Sequence, residues 1–140
     1  MATFVNLFDR IGGEAKLRPL IEDFVQTMHG DVMIGFFFEG VDLERLTELE
    51  YQFTARFMGA DVKYEGRPLI KAHARRPIFG GHFDRRRQLL IEAMDRHDVP
   101  DDIKEPWIQH VNSLRANVTR DAVGPDGKPV ERVSPFRIVR

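Results

Sequence analysis

Apolar residues recur at helical spacing along four separate stretches of this chain, and no stretch alternates apolar with polar residues in the way a strand pair needs. Leu17, Leu20, Ile21, Phe24 and Met28 share one face; so do Leu43, Leu46, Phe53 and Phe57, then Phe83, Leu90 and Met94, then Ile103, Trp107, Val111, Leu114 and Val118. An all-α fold built on four amphipathic helices follows. Glycine and proline punctuate the chain between these stretches, at Ile11–Glu14, Gly59–Pro68, Arg75–Gly81, Asp98–Asp102 and Gly124–Pro129. Asp42 stands where an N-cap belongs before "LERL", and Gly30, Gly59 and Gly66 stand where helices should have stopped. Two shorter helical pieces are expected around Asn6–Ile11 and Leu69–Arg75, the second with Pro68 at a favoured first helical position. Pro106 is expected to open the last main helix after a single turn at Asp101–Lys104, because proline cannot donate to the preceding turn.

A chain of 140 residues makes one domain most naturally and buries roughly 68–70% of its unfolded surface. With no cysteine it excludes disulfides, zinc-thiolate sites and a cysteine nucleophile, and a reducing cytoplasmic location is the simplest home. The net charge of −1 gives no field for a polyanion, although Arg75/Arg76 and Arg85/Arg86/Arg87 form local basic clusters, so nucleic acid is not the expected partner. No apolar run approaches the ~18 residues of a membrane span, and "MATFVNLFDR" lacks the pattern of a signal peptide. A soluble, unexported protein is expected, with a main domain over 1–121 and an extended or flexible extension over 122–140.

Four side chains sit where a plain core would not put them. Projected at about 100° per residue, the helix from Asp42 to Met58 places Glu50 in the middle of the arc bracketed by Leu43, Leu46, Phe53 and Phe57. Burying that carboxylate ionised and alone costs several kcal/mol, so it is paired, protonated, or near an open edge. On the helix from Phe83 to His97, Arg86 and Arg87 flank the apolar arc; they either snorkel into solvent or supply Glu50 with a partner. His73 lies four residues from Leu69 on one face and points inward, as a hydrogen-bonded core histidine or as a ligand.

The other histidines, His29, His82, His97 and His110, have no metal-binding spacing, and the chain has neither a phosphate-binding glycine loop nor a serine elbow. Metal-assisted hydrolysis, phosphoryl transfer and serine catalysis lack support. One inward imidazole with many aromatics, "FFF" at Phe36–Phe38 together with Phe24, Phe53 and Phe57, is compatible with haem, which needs one axial nitrogen and a wide apolar cleft.

In order and spacing the segments "LFDRIGGEAKLRPLIEDF", "FFFEGVDLERL", "YEGRPLIKAHARRPI" and "HFDRRRQLLIEAM" resemble the bacterial truncated (2-on-2) haemoglobin family, its first group most of all, from about Asn6 to Asp121. The resemblance implies a shortened globin fold in which two antiparallel helix pairs sandwich haem b. It implies that His73 is the proximal iron ligand, its second ring nitrogen donating to a backbone carbonyl. It places Phe38 as an aromatic wedge, with Phe24, Phe53, Leu69, Ile78, Phe83 and Leu90 also packing on haem, and Tyr64, Arg75 and Arg76 near the propionates. The distal side departs from the family: Val25 stands where a tyrosine is common, Glu50 where a glutamine is common, Leu46 at the gate-like position, and Arg86 in place of an apolar wall residue.

The function so implied is binding of a diatomic gas, oxygen or nitric oxide, at a histidine-ligated haem iron, with a reductase as a further partner and a monomer or weak dimer as the assembly. A ligand that gains negative charge on binding is stabilised by a nearby donor and repelled by an ionised carboxylate. At ~4 Å and an effective dielectric near 20 that repulsion is ~4 kcal/mol. Glu50 is therefore expected to be protonated or paired with Arg86. Two alternatives stand beside gas binding: an enzyme with peroxidase-like or nitric oxide dioxygenase activity, and a haem-free helical interaction or sensor domain whose cleft is filled by a Glu50–Arg86 bridge.

Overall fold

The computed structural model describes residues 5–67 and 78–119, and every regular element among them is helical. The expected short helix over Leu69–Arg75, the residues Leu69, His73, Arg75 and Arg76, and the extension 122–140 lie outside the described residues. The helices are α1 (Leu7–Ile11), α2 (Glu14–Gly30), α3 (Leu43–Phe57), α4 (Gly80–Arg96), α5 (Asp101–Ser113) and α6 (Arg115–Val118), with a 3-10 turn at Gly35–Phe38. Two antiparallel pairs, α2 with α3 and α4 with α5, form the body, and α2 also packs across α4.

Local chemistry sets the ends. The Asn6 side chain accepts from the Asp9 amide at 2.8 Å to start α1, and the Asp42 carboxylate accepts from the Arg45 amide at 3.1 Å to start α3. Asn6 also donates to the Gly59 carbonyl at 3.0 Å, and Phe8 N–H donates to the Met58 carbonyl at 3.0 Å, which fastens α1 onto the end of α3. Gly59 has φ +101°, and a Cβ there would come within 2.8 Å of the Asn6 side chain, so both the backbone and the close approach require glycine. Gly12, at φ +112°, closes α1 in the left-handed region.

Pro106 does not open α5. The helix runs unbroken from Asp101 to Ser113 with Pro106 inside it and Pro100 at its N-cap. The bond Pro106 cannot make would have gone to the carbonyl of Asp102, an exposed residue of the first turn that solvent can reach. Buried Ile103 and Trp107 on either side of the proline keep the turn attached to the core. The last stripe breaks instead at Leu114, so Val118 belongs to α6. Helix α4 begins at Gly80, three residues before the Phe83 that periodicity marks.

The core is the inward faces of these helices: Leu17, Leu20, Ile21, Phe24, Val25 and Met28 of α2, Tyr51 and Ala55 of α3, Phe83, Leu89, Leu90, Ala93 and Met94 of α4, and Ile103, Trp107 and Val111 of α5. Consecutive Arg85, Arg86 and Arg87 point in three directions, since neighbours on a helix diverge by about 100°. Arg85 pairs with Asp31 at 2.7 Å, Arg86 with Glu50 at 3.1 Å, and Arg87 with Asp84 at 3.1 Å and Asn112 at 2.8 Å. What reads as a basic cluster is three separate fastenings of α4.

Candidate functional site

Helix α3 has two inward faces. One is closed: Tyr51 is 4% exposed, Gln52 4% and Ala55 0%. The other, carrying Leu43, Leu46, Glu50, Phe53 and Phe57, is half-buried along its whole length. The apolar arc seen in the sequence is thus only partly covered: Leu43, Leu46 and Phe57 pack against the core yet stay half-buried. A half-covered apolar surface of this kind suits a large apolar cofactor, and the half-buried Phe38, at the end of the 3-10 turn, also packs against the core.

Glu50 is paired. Arg86 Nη2 donates to both Glu50 carboxylate oxygens, at 3.2 and 3.1 Å, and the side chains are 31% and 22% exposed for Arg86 and Glu50 respectively. The Arg86 guanidinium lies 5.0 Å from the Phe24 ring centroid, a cation–π distance that holds it over an apolar surface. Two charges on neighbouring helices therefore cancel at the centre of the half-open face.

Behind the pair is a small interior chamber of about 30 Å³. Ile21 and Phe24 line it from α2, Phe53 and Thr54 from α3, Leu90 from α4, and Trp107 and His110 from α5, with Glu50 and Arg86 at its polar end. It is large enough for a water or a diatomic molecule and far too small for a macrocycle, which the half-buried face of α3 would have to receive. Thr54 is 6% exposed. His110 stacks face to face on Phe57, with ring centroids 3.8 Å apart and planes at 4°.

The remaining site residues fall around this geometry. Val25 is 1% exposed in the core of α2, next to the chamber residue Phe24. Leu46 lies on the half-buried face of α3, Ile78 is half-buried before α4, and Phe83 and Leu90 are buried on α4. Tyr64 is half-buried, edge-on to Phe53 at 5.5 Å, and its hydroxyl donates to the Arg67 carbonyl at 3.0 Å. Burial, and then the nearby Glu50 charge, push the Tyr64 phenol above its ordinary value, so it stays neutral. Sequence reasoning missed Thr54 and His110 as site residues. The signal was present for His110, because Trp107, His110, Val111 and Leu114 follow the i, i+3, i+4, i+7 rule.

A second polar network holds the loop after α3. Gln52 Nε2 donates to Glu48 at 3.2 Å and to Glu65 Oε1 at 2.9 Å, and Gln52 Oε1 accepts from the Glu65 amide at 2.9 Å. Glu48 in turn accepts from Arg18 at 2.7 Å, and the Arg18 guanidinium sits 4.0 Å over the Tyr51 ring. Among the described residues no group of three or more metal-binding side chains gathers, and no helix is long and apolar enough to cross a membrane.

Comparison with known proteins agrees with this architecture. A family model described as a bacterial-like globin matches residues 6–120. A group 1 truncated hemoglobin of Mycolicibacterium paratuberculosis is 30% identical over 119 residues, which is 85% of this chain and 88% of that protein. The truncated hemoglobin of Tetrahymena pyriformis in its Fe(III) form superposes with a TM-score of 0.77 at 19% identity, covering 82% of this chain and 98% of that one. The 2/2 hemoglobin of Synechococcus sp. PCC 7002, in the cyanomet state with covalently attached heme, gives 0.76 at 22% identity, covering 81% and 98%.

Proposed function

Because the chain belongs to the bacterial-like globin family, and is thereby a haem-binding globin, we propose that it carries haem b on His73 and binds a diatomic gas there. The observation that carries this reading is the half-buried apolar face of α3, interrupted by a carboxylate that an arginine neutralises. Haem iron supplies a coordination position for oxygen or nitric oxide; the chain supplies everything that tunes it. Leu46, Phe53 and Phe57 keep water from the ligand. Arg86 retains N–H groups beyond the one that holds Glu50, and these are free to donate to a ligand that has gained negative charge. With Glu50 paired, the ligand meets a site of no net charge rather than a repelling carboxylate.

The globin domain on this reading spans 1–121, with 122–140 as an extension, and Arg75, Arg76 and Tyr64 would hold the propionates. A cytoplasmic reductase returns the iron to the ferrous state. The test is an absorption spectrum of purified protein after haem addition, for wild type and His73→Ala. A Soret band with a histidine-ligated spectrum is expected in wild type, and its loss or displacement in the variant. A wild-type protein with no Soret band ends the haem reading in favour of a helical interaction domain. The Glu50–Arg86 pair also gives a second reading, since acid–base groups beside bound peroxide assist O–O cleavage. Turnover with peroxide, and with nitric oxide plus a reductant, separates binder from enzyme.

A further inference from the structure

We propose that the C-terminal arm of this chain, residues 130–140, lies across an exposed aromatic patch formed by the turn after α2 and the start of α4. Of the five large apolar side chains that the described residues expose, four come from these two short segments: Val32, Met33 and Phe36 from the turn, and Phe79 at the N-cap of α4. Single exposed apolar residues need no explanation, but a group of them marks a contact surface. The His82 ring stands between Phe36 and Phe79, with centroids 5.9 and 6.1 Å away, and its Nδ1 accepts from the Phe79 amide at 3.1 Å. Asp31 accepts from the Met33 and Ile34 amides and from Arg85 of α4, so the two segments are held side by side.

Where the chain runs next selects the occupant. Helix α6 packs on α4, with Arg115 donating to Asp84 at 2.7 Å and its guanidinium 5.3 Å over the Phe83 ring. That anchors Arg115 little more than one helical turn along α4 from Phe79. Thr119, the last described residue, is 2% exposed, so the chain is still against the body where it enters the arm. Residues 120–136, even at half their full extension, reach roughly 25–30 Å, well beyond the separation to be crossed. Their sequence suits an apolar surface: "VSPFRIVR" carries Val133, Phe136, Ile138 and Val139, and Pro125, Pro129 and Pro135 oppose a helix. In an extended arm successive side chains alternate, which would set Phe136 and Ile138 against the patch and Arg137 at its rim. Exposed Glu39, at the end of the 3-10 turn, offers Arg132 or Arg137 an opposite charge. A tethered arm is present at an effective concentration on the order of millimolar, so it covers the patch ahead of a second copy or a free partner.

The chain has no cysteine, so Arg140→Cys places one nitroxide label at the end of the arm of the full-length protein. With the matched diamagnetic label as reference, NMR amide signals of residues 33–36 and 79–82 should lose most of their intensity. Those of Gly59 and Ala60, beyond the far end of α3 from the 3-10 turn, should keep theirs. Phe136→Ser, a change outside the described core, should restore the lost signals, and Phe36→Ser should do the same from the other side of the contact. Broadening that passes between chains, in a mixture of spin-labelled and isotope-enriched protein, overturns the proposal in favour of a second copy. Signals untouched by the label overturn it too, as does broadening indifferent to Phe136→Ser.

Discussion

The two inward faces of α3 each hold one polar side chain among apolar ones, and the fold treats the two differently. On the closed face, Gln52 is saturated: both amide atoms are bonded, to Glu48 and twice to Glu65, in a region where Tyr51 and Ala55 are almost wholly covered. On the half-open face, Glu50 is held by one arginine nitrogen at 3.1 and 3.2 Å, and its apolar neighbours remain half-buried. A fully satisfied buried amide fixes a loop and adds stability. A half-exposed ion pair adds little stability and leaves hydrogen-bonding capacity for something else. The first face builds the molecule, and the second is available for function.

That division predicts opposite responses to comparable truncations. Tyr51→Ala should lower stability by about 3–4 kcal/mol, as aromatic deletion from a core does, while Phe53→Ala should cost about 1 kcal/mol and speed haem loss instead. Denaturant unfolding of the apoprotein and haem transfer to an acceptor globin measure the two, and equal stability losses would erase the distinction. Gln52→Leu comes next at about 2 kcal/mol, because it strands the Glu65 amide, and hydrogen exchange at Glu65 should quicken.

The smallest expected effect concerns Arg85, which neighbours Arg86 but ties α4 to the end of α2. Its partner Asp31 has a side chain only 5% exposed. The Arg85 hydrogen bonds, with help from the Met33 and Ile34 amides, hold the Asp31 carboxyl below the usual carboxylate range. A depressed folded-state value means stability fully present above the unfolded value of ~3.9 and lost as pH falls through the folded one. Asp31→Asn should therefore be less stable at neutral pH and show a shallower acid slope than wild type below about pH 4. An unchanged slope would place Asp31 outside the acid response.

Much of the fold was legible because it depends on local periodicity. The faces of α2, α4 and α5 and the cap at Asp42 follow from residues a few positions apart. Pro106 misled, because whether a missing bond is tolerated depends on the exposure of Asp102 and on how firmly Ile103 and Trp107 are buried. The basic run at Arg85–Arg87 was legible in part: the pairing of Arg86 with Glu50 was among the expectations, whereas Asp31, the partner of Arg85, lies 54 positions away and carried no signal. Thr54 carried no signal at all, since a threonine on a helix acquires meaning only from the chamber it faces.

The sequence by itself determined an all-helical chain and marked Glu50 as a charge in need of an explanation, because 3.6-residue periodicity and the cost of burying a carboxylate are local physics. It also carried the ordered motifs of a truncated haemoglobin. Only the tertiary structure decided that the apolar arc of α3 stays half-open while Tyr51, Gln52 and Ala55 beside it are closed over. It also chose Arg86 as the partner of Glu50 and gathered Thr54 and His110 around one chamber. Those outcomes depend on how helices far apart in sequence are turned against one another, and no spacing within one helix encodes that.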